Sequence, residues 1–220
     1  MSKISEKFKQ SIASIPTIKR LPSYLNLVKR VDEDGKTIIS ATTIAKELDL
    51  EPIQVRKDLA VTGITGKPRI GYQVTELIKS IESFLNWDTA HKTVIVGAGN
   101  LGSALMNYRE LRNHGLCIAA IVDANPSKIG TEKKGHIIQD VQNIPQIVKD
   151  TGASMAIVTV PPEQAQVVTD LLNQTDIRSI WNFTNVKLKV MDHILVLDED
   201  LSSGFAVLSM HMPFYRESIK

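Results

Sequence analysis

Apolar positions recur at helical intervals through the first part of the chain and in strand-like runs through much of the rest. Ile4, Phe8, Ile12 and Ile15 share one helical face up to Pro16, and Ile18, Leu21, Leu25, Val28 and Val31 form a second stripe up to Asp34-Gly35. Pro22 falls early in that second run, where a proline is best tolerated. Ser40 is placed to cap a short helix carrying Ile44 and Leu48. A break at Asp49-Leu-Glu-Pro52 follows, and Pro52 takes the first position of a third helix that runs through Ala60 and stops at Gly63. Two short helices joined by a few residues form a helix-turn-helix pattern. On the third helix the wheel turns Ile53, Val55 and Leu59 inward and leaves Gln54, Arg56, Lys57 and Asp58 largely outside. The segment 63–74 combines glycines, Pro68, the cations Lys67 and Arg69 and the aromatic Tyr72, a composition suited to a β-hairpin wing.

A helix over Glu76 to Trp87, apolar along Leu77, Ile78, Ile81, Phe84 and Leu85, ends this half. The polar stretch Asp88 to Lys92 marks the domain boundary, with His91 as exposed linker. The period then changes. Thr93 to Val96 and Cys117 to Val122 are short apolar runs, and Met155 to Val160, Ser179 to Phe183 and His193 to Leu197 follow as further strands. Helical segments at 143–150 and, opened by Pro161-Pro162, at Glu163 to Leu172 separate them. Strands alternating with helices predict an α/β fold with a mainly parallel sheet covered on both faces. A last helix begins after Asp198-Glu-Asp200 and carries Leu201, Phe205, Leu208 and Met212 on one stripe, until Pro213 ends it. Little chain remains to cover that stripe. It packs either on its own sheet or across a two-fold axis against another subunit, and the second suits it better.

Candidate chemistry concentrates in two places. Gly97-Ala98-Gly99-Asn100-Leu101-Gly102 is a G-x-G-x-x-G turn with a strand before it and a helix after it. The three glycines suit a tight turn, close approach of a pyrophosphate to the backbone, and close helix–strand packing, and the helix N-terminus offers N–H groups to the phosphates. Asp123 ends the next strand about 20 residues further on, where a carboxylate suits a ribose 2′-hydroxyl and repels a 2′-phosphate. NAD+ and NADH are therefore favoured over their phosphorylated counterparts. Ligands in such sheets lie at the carboxyl ends of the strands, which brings Val160, Pro161, Asn182 and Phe183 near any bound dinucleotide. The second concentration is basic. Gln54, Arg56 and Lys57 on the third helix can reach base edges or phosphates in a major groove, and Lys67, Arg69 and Tyr72 suit a wing lying on the DNA backbone or in the minor groove.

Composition narrows the picture little. The 220 residues are 43% apolar and 23% charged with a formal net charge of +2, so any nucleic-acid surface is local and not global. No apolar run approaches a membrane span, and the start lacks the apolar core of a signal peptide. The single Cys117 lies in a predicted buried strand and reads as a small core hydrophobe. These features suit a cytoplasmic protein with no membrane partner.

Taken together and in order, Arg20-Leu-Pro-Ser-Tyr24, Gln54 to Leu59, Gly71-Tyr72, Gly97 to Ala104 with Tyr108, Thr159-Val-Pro161 and Asn182-Phe183 resemble the redox-sensing transcriptional repressors of the Rex family, of the Gram-positive bacterial type. The resemblance covers nearly the whole chain. It implies a winged-helix DNA-binding domain over 1–87, a Rossmann NAD(H)-binding domain over 88–200, and a C-terminal helix over 201–220 swapped between the subunits of a homodimer. It further implies a repressor that responds to the NADH/NAD+ ratio, leaving inverted-repeat operators of fermentative or respiratory genes when NADH is bound. Arg56 and Lys57 fall on the recognition helix, Gly97, Gly99, Leu101 and Gly102 on the pyrophosphate, and Asp123 on the adenosine ribose. Arg20, Tyr108 and Asp200 match a polar set, with Asp200 supplied by the partner chain, that couples cofactor state to domain position.

A dehydrogenase is the competing class. Hydride transfer normally needs an acid or base beside the nicotinamide and a substrate pocket. His91, His114, His136, His193 and His211 are scattered without catalytic spacing, and no substrate domain intervenes before the terminal helix. A module acting only through protein partners would leave the basic helix and wing without purpose.

Overall fold

Burial of one apolar stripe per helix builds the N-terminal part of the computed structural model, which describes residues 13–217, with side chains up to Met212. The stripe of Ile4, Phe8 and Ile12 lies outside these residues. Helix α1 (Ile15–Glu33) opens with Ser14, whose hydroxyl accepts the Thr17 N–H, and buries Leu21, Tyr24, Leu25, Leu27 and Val28. Ile15 therefore begins this helix and does not end an earlier one, because Ser14 caps it and Pro16 suits a first turn. Strand β1 (Ile38–Ile39) leads to α2 (Ala41–Glu47), capped by Ser40, and α3 (Pro52–Ala60) starts on its proline. Strand β2 (Tyr72–Gln73) and α4 (Val74–Phe84) complete the unit.

The expected wing hairpin is reduced to a tight turn. A lone antiparallel bridge joins Lys67 to Gly71, and the following strand β2 pairs with β1, setting Tyr72 against Ile39. Pro68 has no N–H to donate and Arg69 adopts a left-handed φ of 61°, so the turn cannot extend into a ladder of its own.

The chain divides into two compact units, Met1–Ala90 and His91–Lys220. In the second, β3 (His91–Val96), β4 (Leu116–Asp123), β6 (His136–Asp140), β7 (Met155–Val158), β8 (Ser179–Asn182) and β9 (Leu195–Asp198) pair in parallel, and β5 (Glu132–Lys133) adds an antiparallel edge to β6. The order across the sheet is β5-β6-β4-β3-β7-β8-β9. Setting the edge strand β5 aside, this is the 3-2-1-4-5-6 order of dinucleotide-binding folds, with the topological switch between β3 and β7. Helices α5 (Asn100–Asn107) and α6 (Arg109–Asn113) lie between β3 and β4, and α7 (Ile144–Thr151) and α8 (Pro162–Leu172) flank β7. Val94 and Val96 join the core formed with α7 and α8, and Ile95 joins the opposite one with Met106, as the two-residue period of a strand requires.

Three expectations change here. His91 is the first residue of β3, its N–H bonded to the Gly115 carbonyl, and not linker. Cys117 is exposed, because β4 is buried only over its last half, from Ala120 to Asp123. The β5–β6 hairpin has no signal in the sequence, since the polar pair Glu132-Lys133 carries no apolar alternation. Helix α9 (Ser202–Glu217) runs on past Pro213, whose missing N–H removes one bond without obliging the helix to stop. Its stripe is bare, with Leu201, Phe205, Leu208 and Met212 between 61% and 71% exposed. Among the described residues no helix is long and apolar enough to cross a membrane.

Candidate dinucleotide cleft and basic face

The carboxyl ends of β3, β4 and β7 enclose a cavity of about 510 Å³ lined by Gly97, Gly99, Asp123, Lys128, Thr159 and Pro161. The glycines differ in what they permit. Gly97 holds a left-handed φ of 105°, and a methyl there would also press on Thr159 at 2.9 Å. A side chain on Gly102 would overlap the Gly97 carbonyl oxygen, so the start of α5 can sit on β3 only without one. At Gly99 a methyl would meet nothing within 4 Å, because that position faces the open cleft. No side chain caps α5. Its first-turn N–H groups and partial positive charge are suited to an anion. Space at Gly99, an uncapped helix start and a carboxylate at the end of β4 together fit a dinucleotide.

Asp123 is 8% exposed and closely held. Its Oδ2 accepts the Ala98 N–H at 2.8 Å and Lys128 Nζ at 2.9 Å, and its Oδ1 accepts the Asn125 N–H at 2.8 Å. Burial pushes its pKa up, but Lys128 and the two backbone donors outweigh this and hold the carboxyl below its ordinary value. Lys128 has no place in the glycine motif. No local motif singles it out, and only the fold returns it to Asp123. Ala124, Asn125 and Gln164 also line the cleft without a motif to mark them, and Thr159 of the Thr159-Val-Pro161 stretch donates its hydroxyl to the Gly97 carbonyl at 3.0 Å.

The remaining cofactor candidates are distributed unevenly. Val160 and Pro161 line the cleft. Ala98 is buried with its N–H on Asp123, Asn100 is exposed at the start of α5, and Leu101 is half-buried. Asn182 is 1% exposed, and its amide is fully engaged: Nδ2 donates to the Val186 carbonyl and Asp198, while Oδ1 accepts from Thr184. It ties β8 to β9 and does not line the cavity. Phe183 packs against Trp181, ring centroids 4.8 Å apart. Tyr108 is exposed beyond the far end of α5, with its hydroxyl 3.4 Å from Glu110.

In the N-terminal unit, α3 and the wing turn border a cavity of about 600 Å³ whose lining includes Arg56, Lys67, Arg69, Ile70 and Tyr72. Arg56, Lys57, Lys67 and Arg69 are all exposed. Tyr72, expected among the DNA contacts, is 7% exposed and lies against Gly66, where it supports the wing from behind. The helical wheel also needs correction. Val55 and Leu59 are buried as expected, but Ile53 is 59% exposed and Asp58 is 1% exposed.

Asp58 faces inward because its partners do. Arg20 forms a two-pronged ion pair with it, Nε to Oδ2 at 2.7 Å and Nη2 to Oδ1 at 2.9 Å. Tyr24 donates its hydroxyl at 2.7 Å, Thr17 at 3.0 Å, and Gln54 its amide at 2.9 Å. Burial opposes the charge, but Arg20, Tyr24, Gln54 and Thr17 overcome it and keep the Asp58 pKa low. Burial and the Asp58 bond push the Tyr24 phenol up to about 12. Gln54 is thus half-buried and helps to fix α3. Arg20 engages Asp58, and Asp200 accepts the Ser202 N–H at 2.8 Å in the turn before α9. The structure does not join Arg20, Tyr108 and Asp200 into one cluster within either unit. No group of three or more His, Cys, Asp or Glu suited to a metal ion occurs among the described residues.

Known families match stretches of both units. The CoA binding domain family matches residues 88–186, and the family described as a putative DNA-binding protein N-terminus matches residues 13–60. The redox-sensing transcriptional repressor Rex of Treponema denticola is 46% identical over 204 residues, 93% of this chain and 97% of that protein. RSP, a Rex-family repressor, is 28% identical in its complex with β-NAD+ and operator DNA, with a TM-score of 0.86 over 96% of this chain and 98% of that one. Its complex with β-NADH is also 28% identical, with a TM-score of 0.84 over 96% of this chain and all of the other.

Proposed function

This chain belongs to the Rex family of redox-sensing transcriptional repressors, and on that premise we propose that it carries the NADH/NAD+ ratio from the cleft of its second unit to operator DNA held by its first. The carrying observation is the pairing within one chain of two unlike surfaces: a glycine turn open at Gly99 beside Asp123, and an exposed cationic face on a helix locked by Asp58. NAD+ and NADH are the ligands of the cleft. Gly97 to Gly102 hold the pyrophosphate through backbone N–H groups, Asp123 receives the adenosine ribose, and Val160 and Pro161 close the side toward β7. The dinucleotide acts as a signal, and no residue is assigned to hydride transfer.

On the DNA side, Arg56 and Lys57 enter the major groove of each half-site and Lys67 and Arg69 of the wing follow the backbone. A two-fold homodimer demands an inverted-repeat operator. The bare stripe of α9 supports a swapped arrangement, in which Leu201, Phe205, Leu208 and Met212 are covered by the partner subunit. Arg20 is the candidate relay: its partner Asp58 lies on the recognition helix, and the family resemblance pairs Arg20 or Tyr108 with an Asp200 supplied by the partner chain. An ion pair that can exchange one partner for another is a bistable element of the kind a ligand can bias. The relay has a function only if the cofactor interacts differently with the two states.

The test is binding of the full chain to an inverted-repeat promoter fragment, titrated separately with NADH and NAD+ at one fixed salt concentration, since phosphate contacts make affinity salt-dependent. Release by NADH at concentrations where NAD+ leaves the complex intact is expected. Tight binding indifferent to both nucleotides removes the sensor from this reading. Nucleotide binding without specific DNA binding reopens the dehydrogenase alternative.

A further inference from the structure

The exposed face of α3 is not purely basic. Ile53, Arg56, Lys57 and Ala60 are separated by three, one and three residues, so they form one helical stripe, and all four are exposed. Ile53 stands 59% exposed on the first turn, while Val55, Asp58 and Leu59 fill the inward side. Its exposure follows from the clamp on Asp58. Arg20, Tyr24 and Thr17 rotate that carboxylate toward α1, and the same rotation turns Ile53 out. A lone exposed isoleucine needs no explanation on most surfaces. This one lies beside Arg56 on the first turn of a helix that bears the cationic face, and the N-terminal residues of a recognition helix are those that reach base edges.

We propose that Ile53 reads the C5-methyl group of a thymine in each operator half-site, adjacent to the base contacted by Arg56. The inference rests on the DNA-binding role proposed above and assigns it a specificity determinant. In the major groove the thymine methyl is the one apolar feature of the base edges, and an aliphatic side chain is its natural complement. Arg56 and Lys57 supply attraction that is mostly indifferent to sequence where they meet phosphate. Ile53 carries no charge, so its contact with a thymine methyl contributes discrimination between bases and not general attraction to phosphate. Ala60, at the other end of the stripe, is too short to make an equivalent contact at the same depth.

The experiment uses a duplex selected from a random double-stranded library by the full chain without NADH. Each thymine of one half-site is replaced in turn by deoxyuridine, which lacks only the methyl, and binding is measured for the wild type, Ile53→Ala and Ile53→Val. At one position the wild type is expected to lose about fourfold in affinity, the worth of one buried methyl. Ile53→Ala should bind the thymine duplex more weakly by a similar or larger factor and be indifferent to deoxyuridine at that position. Ile53→Val should retain most of the discrimination. NADH affinity and melting temperature should be unchanged in both variants, because the side chain is outside the core.

Equal binding of every deoxyuridine duplex by the wild type overturns the proposal, as does a penalty that persists undiminished in Ile53→Ala. Those outcomes leave the repressor reading standing, provided that Arg56→Ala still weakens binding. Failure of the library to yield any duplex bound above non-specific levels is a different result. It removes the DNA-binding role and Ile53 with it.

Discussion

Each unit contains a buried aspartate held by a cation, and the two have opposite surroundings. Asp58 is enclosed by four side chains, two of its bonds coming from one guanidinium, and it lines neither of the two cavities described above. Asp123 takes two backbone N–H groups and the half-exposed Lys128, and it borders a cleft of about 510 Å³. Both carboxyls are held below their ordinary pKa against the cost of burial. A low pKa and a cationic partner therefore do not distinguish a clamp from a ligand site. What distinguishes them is whether hydrogen-bonding capacity opens onto space, and how flexible the partner is. Arg20 has a planar fork and two fixed bonds, whereas Lys128 is a single charge on a flexible stem.

The largest effect should come from breaking the closed site. Asp58→Ala leaves Arg20 without its partner and Tyr24, Gln54 and Thr17 without an acceptor, and loss of one member of a buried ion pair costs about 3–5 kcal/mol. Trp87 and Trp181 lie one in each unit, so denaturation of Trp181→Phe and Trp87→Phe backgrounds reports each separately. The N-terminal transition should shift and the other should not. An unchanged Trp87 transition would mean that the clamp adds nothing to folding.

At the open site, Asp123→Ala should lower NADH affinity by about 1.5–3 kcal/mol, the range for hydrogen bonds to a charged acceptor, while cofactor-free DNA binding persists. Calorimetric titration with NADH measures the loss, and unaltered affinity would remove Asp123 from the ribose. In the N-terminal unit, Arg56→Ala should weaken operator binding by about 1–3 kcal/mol with NADH affinity nearly unchanged. Equal operator affinity of wild type and variant would take Arg56 out of the interface.

Gly99→Ala sharpens the comparison further. Its methyl meets nothing in the cofactor-free chain, so the melting temperature should hold while dinucleotide affinity drops. Gly102→Ala should instead destabilise the second unit even without cofactor, because its methyl collides with the Gly97 carbonyl oxygen. The smallest effects are those of pH. For a carboxyl whose folded pKa is depressed, the stabilisation is present above the unfolded value near 3.9 and disappears as pH falls through the folded one, so both units should weaken below about pH 4. Tyr24 acts at the other end. Its phenol is raised to about 12, so its contribution is complete below the unfolded value near 10 and is lost between that and about 12, in the N-terminal unit alone.

Much of this was legible in residue order. The alternation of short β-branched runs with helical stripes carried the α/β sheet, because the two periods of three-and-a-half and two residues are local properties of the backbone. Gly97, Gly99, Gly102 and Asp123 were legible because a tight turn, a close approach and a strand end each demand a residue type at a set distance. Ser40 and Pro52 announced their helices for the same local reason. The inward face of α3 was not legible. A wheel ranks residues by polarity and puts Ile53 inside, but Asp58 is drawn in by Arg20 and Tyr24, more than 30 residues earlier. Lys128 on Asp123, Thr159 on Gly97 and the reduction of the wing to a single bridge are likewise contacts between segments distant in sequence. Most elements, their order and the motif residues follow from neighbours a few positions apart in the chain. Which charges are buried as clamps and which face open space depends on the assembled fold, because desolvation and long-range hydrogen bonding act on a residue through the whole surface packed around it.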